Sequence, residues 1–361
     1  MEFPRKLVYN PQAIDSVSFM ASDKKRYFLA TYLGRRYNGV VDGFIYLNIP
    51  EIGLLESLKL PDTILFQDNK EKSLRSFGAE GLHHTPLQPL KRWKISYDGK
   101  MRVRGNTKDI VHVHLDAIWT SRLPFYDVNR DTDTMLLAKI FAKEPWNDDF
   151  FGIVKDFHLT HFEQHGNITG QAVVNGEIFQ LKMNSLKSRK HGILKWKHMH
   201  RYVTHFMHFQ DGTSISVGMI STPVTFSSKE YGFITTANGE LYPITYSSLK
   251  LHELGEAGTP PKDYSFSIKA GGRTYHIQVE VFKCAEFYAG WQWEARIVEC
   301  MAKFTFNGNP GWGGVEWHYR HTGRRPLSIA SMDPEKKIAG EESGAGWGPP
   351  SEAPSVQAGE D

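Results

Sequence analysis

Six dipeptides that tolerate positive φ punctuate this chain: Asp98-Gly99, Asn175-Gly176, Asp211-Gly212, Asn238-Gly239, Gly271-Gly272 and Asn307-Gly308. Short runs of alternating apolar and polar residues flank them. Such pairs suit the central positions of tight hairpin turns, so the spacing predicts antiparallel strands joined by hairpins. The expected strands are 27–33, 40–49, 93–97, 110–120, 161–166, 170–174, 178–183, 202–209, 214–220, 275–283 and 293–306. The fold class read from this pattern is all-β.

One segment departs from the alternation. Between residues 132 and 157, Met135, Leu136, Ile140, Phe141, Phe150, Phe151 and Val154 recur at helical spacing. Asp131 or Asp133 can cap the start and Pro145 divides the run, which predicts two short helices. The basic stretch 185–197, without a hairpin signal, then reads as the crossing to a second β unit. The expected domains are 1–185, 186–325 and a disordered acidic tail over 326–361, rich in Gly, Pro, Ser and Glu.

A length of 361 residues with 40% hydrophobic content supports two packed cores. The formal charge of +3 and the absence of a basic stripe interleaved with aromatics argue against nucleic acid. No window reaches the roughly 18 apolar residues of a membrane helix, and Met-Glu-Phe-Pro-Arg-Lys is no secretory leader. A cytoplasmic location is expected. Cys284 and Cys300 are offset in a regular hairpin and are expected to be free thiols.

Several constellations could carry chemistry. His161, Glu163 and His165 share one strand face, as a metal site, an acid–base pair or a buried polar face; no further ligand is evident, and no metal is expected. His112, His114 and Asp116 repeat the geometry, and are exposed if the intervening valines fill a core. Arg201 or His200 could pair with a buried carboxylate such as Glu294 or Glu316. Four tryptophans, Trp291, Trp293, Trp312 and Trp317, crowd one strand–turn–strand region. They suit a barrel plug or the wall of an apolar pocket. Glu294 beside them could be a desolvated acid or the partner of an arginine.

These motifs together resemble a known family. Asp15-Ser16-Val17, Pro61-Asp62-Thr63, Trp93 to Gly99, His161 to Gly166, His200-Arg201-Tyr202, Gly290 to Ala295 and Gly311-Trp312-Gly313 follow the pattern of the N-terminal region of animal phosphoenolpyruvate synthase-like (YvkC-like) proteins. The likeness spans about Asp15 to His321. More remotely it is similar to the AttH and carotenoid 1,2-hydratase group. That resemblance implies two tandem lipocalin-like (calycin) antiparallel barrels, with the tryptophan region closing the second. It does not extend to the ATP-grasp, phosphohistidine or pyruvate-binding units of a phosphotransferase, so phosphotransfer is not expected. Relatives carry Arg-Asp-His-Ser where this chain has Arg189-Lys190-His191-Gly192. Lys190 thus removes a carboxylate that could orient His191.

The expected function is binding of an apolar small molecule, isoprenoid- or polyene-like, with cofactor-free hydration, isomerisation or cyclisation if the protein is an enzyme. The expected catalytic residues are Glu294 and His191. The expected ligand-binding residues are Trp291, Trp293, Trp312, Trp317, His200 and Arg201. A non-catalytic interaction module is the alternative.

Overall fold

The computed structural model describes residues 2–58, 62–66, 75–156 and 159–323. The tail expected over 326–361 and the motif residue Pro61 lie outside the described residues.

The first half contributes twelve strands: β1 (Ala13–Ser22), β2 (Phe28–Arg36), β3 (Val40–Ile49), β4 (Gly53–Ser57), β5 (Asp62–Phe66), β6 (Phe77–Ala79), β7 (Leu82–Gln88), β8 (Arg92–Val103), β9 (Asn106–Thr120), β10 (Tyr126–Asp127), β11 (Leu159–Val174) and β12 (Glu177–Ile193). Eight of them pair antiparallel in a ring, β1-β2-β3-β4-β8-β9-β11-β12 and back to β1. The ring leaves no unpaired edge, which removes the hazard that open sheets carry. The second half closes likewise through β13 (Arg201–Phe209), β14 (Ser214–Thr222), β15 (Phe226–Thr235), β16 (Leu241–Ser247), β17 (Asp263–Ala270), β18 (Arg273–Ala289), β19 (Ala295–Phe306) and β20 (Asn309–Arg320). The alternation and the turns predict the antiparallel strands, and the two barrels are those that the AttH-like resemblance implies. β12 continues as strand to Ile193, so the boundary expected near residue 185 falls inside it and the linking segment is 194–200.

Two turn readings show what the dipeptides mean. Asn175-Gly176 and Asn307-Gly308 both have positive φ and join adjacent strands. Asp98-Gly99 does not turn: β8 runs straight through it and pairs with β9 on both sides. Gly99 instead makes room for a ring, since a Cβ there would lie 2.7 Å from the Tyr97 hydroxyl oxygen.

The helices form as α1 (Thr134–Phe141) and α2 (Asp148–Asp156), with Pro145 between them and Asp133 accepting from Leu136 N at 2.9 Å. Leu136 and Ile140 join the core cluster of the second barrel, so an insertion from the first half helps to close the second. Glu144 reinforces this by accepting from both Ser227 N and Ser227 Oγ.

The two lumens differ. The second is mainly apolar, with Val203, Val217, Ile268, Ile277, Cys300 and Trp317 in its core and the buried His205 bonded to Tyr264 among them. In the first, the inward residues of β12 pass from Phe179, Leu181 and Met183 to Lys187 and Arg189, an apolar end grading into a cationic one. Counter-charges come from Asp15, which takes Arg189 at 2.7 Å and Arg35 at 3.0 Å, and from Glu2. The Glu2 carboxylate accepts from Lys187 Nζ and Trp93 Nε1, both at 2.7 Å, and from Leu90 N at 2.9 Å. Lys187 also lies 4.3 Å from the Trp119 ring centroid. Burial lowers its ammonium to about 8 despite the attraction of Glu2.

Cys284 and Cys300 are bonded to each other, which corrects the expectation of free thiols. A bulge between Val281 and Lys283 shifts the β18–β19 register by one residue. Without that shift Cys284 would face Glu299; with it, the cysteines stand opposite, their Cα atoms 4.1 Å apart.

Removing the Glu2 carboxylate leaves a buried cation without its counter-charge. Glu2→Ala is therefore expected to lower unfolding stability by on the order of 3 kcal/mol in urea titration, with Glu2→Ala/Lys187→Met recovering most of the loss. An unchanged midpoint in Glu2→Ala would contradict this role.

Candidate active site between the barrels

The barrels meet through the outward faces of β1, β2, β3, β11 and β12 on one side and of β13, β14, β15, β18, β19 and β20 on the other. Part of this interface is aromatic: Phe44 packs on Phe287 with ring centroids 4.5 Å apart, Tyr32 stacks on Phe44 at 5.8 Å, and Tyr126 stacks on Phe233 at 4.8 Å. Such pairs give about 0.5–1.5 kcal/mol each beyond the area they bury.

Embedded in this layer are two carboxyl groups on neighbouring strands. Glu299 on β19 stands directly opposite Glu316 on β20. Glu299 is 2% exposed, and no donor reaches either of its oxygens. Burial pushes its carboxyl well above the usual range, the facing Glu316 pushes it further, and Lys190 opposes the shift. Glu316 is the better supplied partner, because Tyr202 donates to its Oε1 at 2.5 Å. Burial and the facing carboxylate therefore both favour a proton on Glu299.

A second carboxyl group across the same interface has the opposite character. Glu163 on β11 accepts from Ser216 Oγ of the other barrel at 2.6 Å and lies 3.2 Å from His161 Nε2. Burial alone would raise its carboxyl, but the His161 and Ser216 contacts and Lys190 outweigh it and hold the group below its usual value. His161 is lowered by burial and is neutral, its Nε2 also 3.0 Å from Ser188 Oγ. Lys190 acts on both Glu163 and Glu299, and the Tyr231 phenol feels both Glu163 and Glu316. One polar cluster thus contains a carboxyl pushed up and a carboxyl held down. Environments that push two carboxyls apart in this way are those that assign acid and base roles.

His165, the third member of the expected strand face, turns to Thr235 Oγ1 at 3.0 Å and packs against His208, and burial holds its imidazole well below the usual value. Among the described residues no group of three or more His, Cys, Asp or Glu side chains could hold a metal. His112 and His114 are exposed and lie against Asp98 at 2.8 and 3.3 Å, with Val113 and Leu115 in the core.

The eight residues singled out from sequence do not converge. Trp317 is inside the second barrel, stacked on Tyr319. Trp291 Nε1 donates to Pro11 O at 2.7 Å, and Trp293 holds a positive φ in the same loop. Glu294 accepts from Gln292 N of its own loop at 3.0 Å, and its charge helps to raise the buried Arg36 guanidinium. Arg201 pairs with Glu256 and donates to Leu251 O and Leu254 O, while His200 is exposed. His191 faces the mouth of the first barrel near Asp15, lowered chiefly by burial. Trp312 alone of the eight lines a cavity of about 1020 Å³ that opens between the barrels.

The chain matches a family of unknown function, DUF8627, over residues 1–319. No curated protein matches it in sequence. Among solved structures it is similar to an AttH candidate from Nitrosomonas europaea, with TM-score 0.54 and 11% identity over 87% of this chain and 97% of that one. It is also similar to CghA crystallised with Sch210972, with TM-score 0.50 and 7% identity over 86% of this chain and 89% of that one. At these identities the likeness establishes a shared AttH-like, tandem lipocalin-like fold. The comparisons give no support to the phosphoenolpyruvate synthase-like resemblance.

A carboxyl raised in the folded state stabilises the fold below its unfolded pKa, and that contribution is lost as pH rises through the folded value. Wild-type melting temperature is therefore expected to fall as pH rises from about 5 to 8, relative to Glu299→Gln, which keeps a neutral side chain of the same shape. Parallel melting curves would contradict a protonated Glu299.

Proposed function

The chain belongs to DUF8627, a family of unknown function, and we propose that it binds an apolar, isoprenoid- or polyene-like molecule between its barrels and transfers a proton to a carbon–carbon double bond. The observation that carries this reading is the buried Glu299, its carboxyl pushed up by burial and by the facing Glu316, in an aromatic interface where the carboxyl of Glu163 is held down.

The chemistry follows from the two environments. Glu299 gives its proton to one alkene carbon, and the electron pair of the double bond forms the new C–H bond. The facing Glu316, with Tyr202, stabilises the charge that remains on the pair. The carbocation lies among aromatic faces such as Phe44, Phe287 and Tyr32, whose negative π surfaces attract it. Glu163 then accepts a proton, either from a water that adds to the cation or from a neighbouring C–H. The first outcome is hydration; the second is isomerisation or, after ring closure, cyclisation. Once product leaves, Glu163 releases its proton to solvent and solvent returns one to Glu299. No cofactor is required for these steps.

That CghA, a protein of similar fold, was crystallised with Sch210972 supports small-molecule binding in this architecture. Glu294 and His191, the acid and base first expected, are less suited: one is turned onto its own loop and the other belongs to the first barrel's mouth. The second reading, a non-catalytic interaction module left from a phosphoenolpyruvate synthase-like ancestor, draws on the packed lumens of both barrels. It offers no account of a buried carboxyl, Glu299, facing a second carboxyl, Glu316.

Incubation with farnesol, geranylgeraniol and squalene in D₂O, read by mass spectrometry, is expected to show deuterium on carbon of at least one. Glu299→Gln should slow that incorporation by roughly 10²–10⁴-fold while leaving binding intact. Equal incorporation by the two proteins, or none together with no apolar adduct in native mass spectrometry of the mildly purified protein, would reject the reading.

A further inference from the structure

The cavity between the barrels has a mixed lining. On its rim stand Lys24, Lys25, Arg26, Lys182 and Lys303, against one acid, Asp23. Asp23 is committed locally, accepting from Lys25 N and Tyr27 N at 2.9 Å to hold the β1–β2 turn. Lys303 reaches Glu280 at 3.4 Å and Arg26 lies over the Phe282 ring. Glu51 approaches the same turn, but through the Tyr27 hydroxyl at 3.3 Å. Lys24 and Lys182 are exposed and have no acidic partner among the described residues.

The same lining carries the apolar side chains Phe28, Phe282, Met301 and Trp312, beside the neutral polar Asn167, Gln180, Asn184 and Gln210. Phe282 is present there because of the β18 bulge, and it remains 39% exposed; nearby Ile178 is 59% exposed. Large apolar side chains left open beside unpaired lysines are unfavourable to a free monomer and favourable to a ligand that has both characters.

The apolar end points towards the acid pair. Met301 shares a face of β19 with Glu299, about 7 Å away for a two-residue step. On β20, Trp312 and Glu316 share a face with Gly314 between them, and the Phe206 ring occupies the space a side chain at Gly314 would need. Phe206 lies 6.3 Å from Phe28, which itself lines the cavity. Phe28 and Phe206 thus lead from the cavity towards the strand face that carries Glu299 and Glu316.

We infer that this cavity takes an amphiphile with an anionic head, carboxylate or phosphate, held at Lys24 and Lys182, and with its apolar tail directed past Phe28 and Phe206 towards Glu299. The inference rests on the proposed proton transfer for what happens at the tail, but not for binding. It narrows the substrate class from neutral polyenes to acids or phosphate esters of apolar chains. About 1020 Å³ is at the upper end of ordinary ligand pockets and accommodates a long chain.

Isothermal titration of the full chain with dodecanoate, dodecyl phosphate, dodecanol and inorganic phosphate tests it. Dodecanoate, dodecyl phosphate or both should bind roughly tenfold or more tighter than dodecanol, the stronger of the two identifying the head, and inorganic phosphate should not bind measurably. Lys24→Glu/Lys182→Glu, two exposed positions, should remove that advantage and leave dodecanol binding unchanged, whereas Glu299→Gln should leave all four affinities unchanged. Dodecanol binding as tightly as the anions, or a charge-reversed variant that still prefers them, overturns the inference. Deuterium exchange on neutral polyenes together with no anion preference would sink this inference and leave the proton transfer standing. Anion preference without exchange on any chain would do the reverse.

Discussion

Glu299 and Glu316 face each other across two hydrogen-bonded strands of the second barrel with the first barrel packed against them, and the burial of Glu299 governs what the interface can do. Water would let both ionise, and an arginine would neutralise them permanently. Neither oxygen of Glu299 receives a donor, and Tyr202 supplies only Glu316. The fold therefore holds a proton in place, at a cost in stability that increases with pH. In a layer otherwise filled by Phe44, Phe287, Tyr126 and Phe233, such a carboxyl is what the proposed proton transfer would draw on.

Both lumens are already occupied, which leaves the space between the barrels for a ligand. The second barrel packs Trp317 and its neighbours to the centre, and two helices from the preceding half close it. The first places cations inside and answers them with Asp15 and with Glu2, which folds over the mouth. A chain that fills its barrels this way gives up the usual ligand chamber of single barrels. It gains instead a broad inter-barrel surface where residues from both halves meet, as Ser216 and Glu163 do.

Much of this was legible. Alternation and turn dipeptides gave strands on most of the expected segments, and Asp133 and Pro145 marked the helices. The misreadings have particular causes. A glycine that makes room for a ring looks like one that permits a turn, as at Gly99. The β18 bulge, which pairs the cysteines, has no sequence signature comparable to a turn. The acid pair, by contrast, was accessible. With Asn307 and Gly308 as a two-residue turn, Phe306 faces Asn309, and counting back along both strands brings Glu299 opposite Glu316. A lone glutamate in Ile297-Val298-Glu299-Cys300-Met301 was the signal. The tryptophan cluster drew attention instead because aromatic density is conspicuous, although a barrel core explains Trp317 without a ligand.

The central claim is that Glu299 holds a proton at neutral pH. Infrared difference spectroscopy of the wild type against Glu299→Gln reads this directly. The account predicts a carbonyl band of a neutral carboxylic acid in the wild type at pH 7, shifted in D₂O and absent from the variant. A wild-type spectrum showing only carboxylate bands for that residue would contradict it.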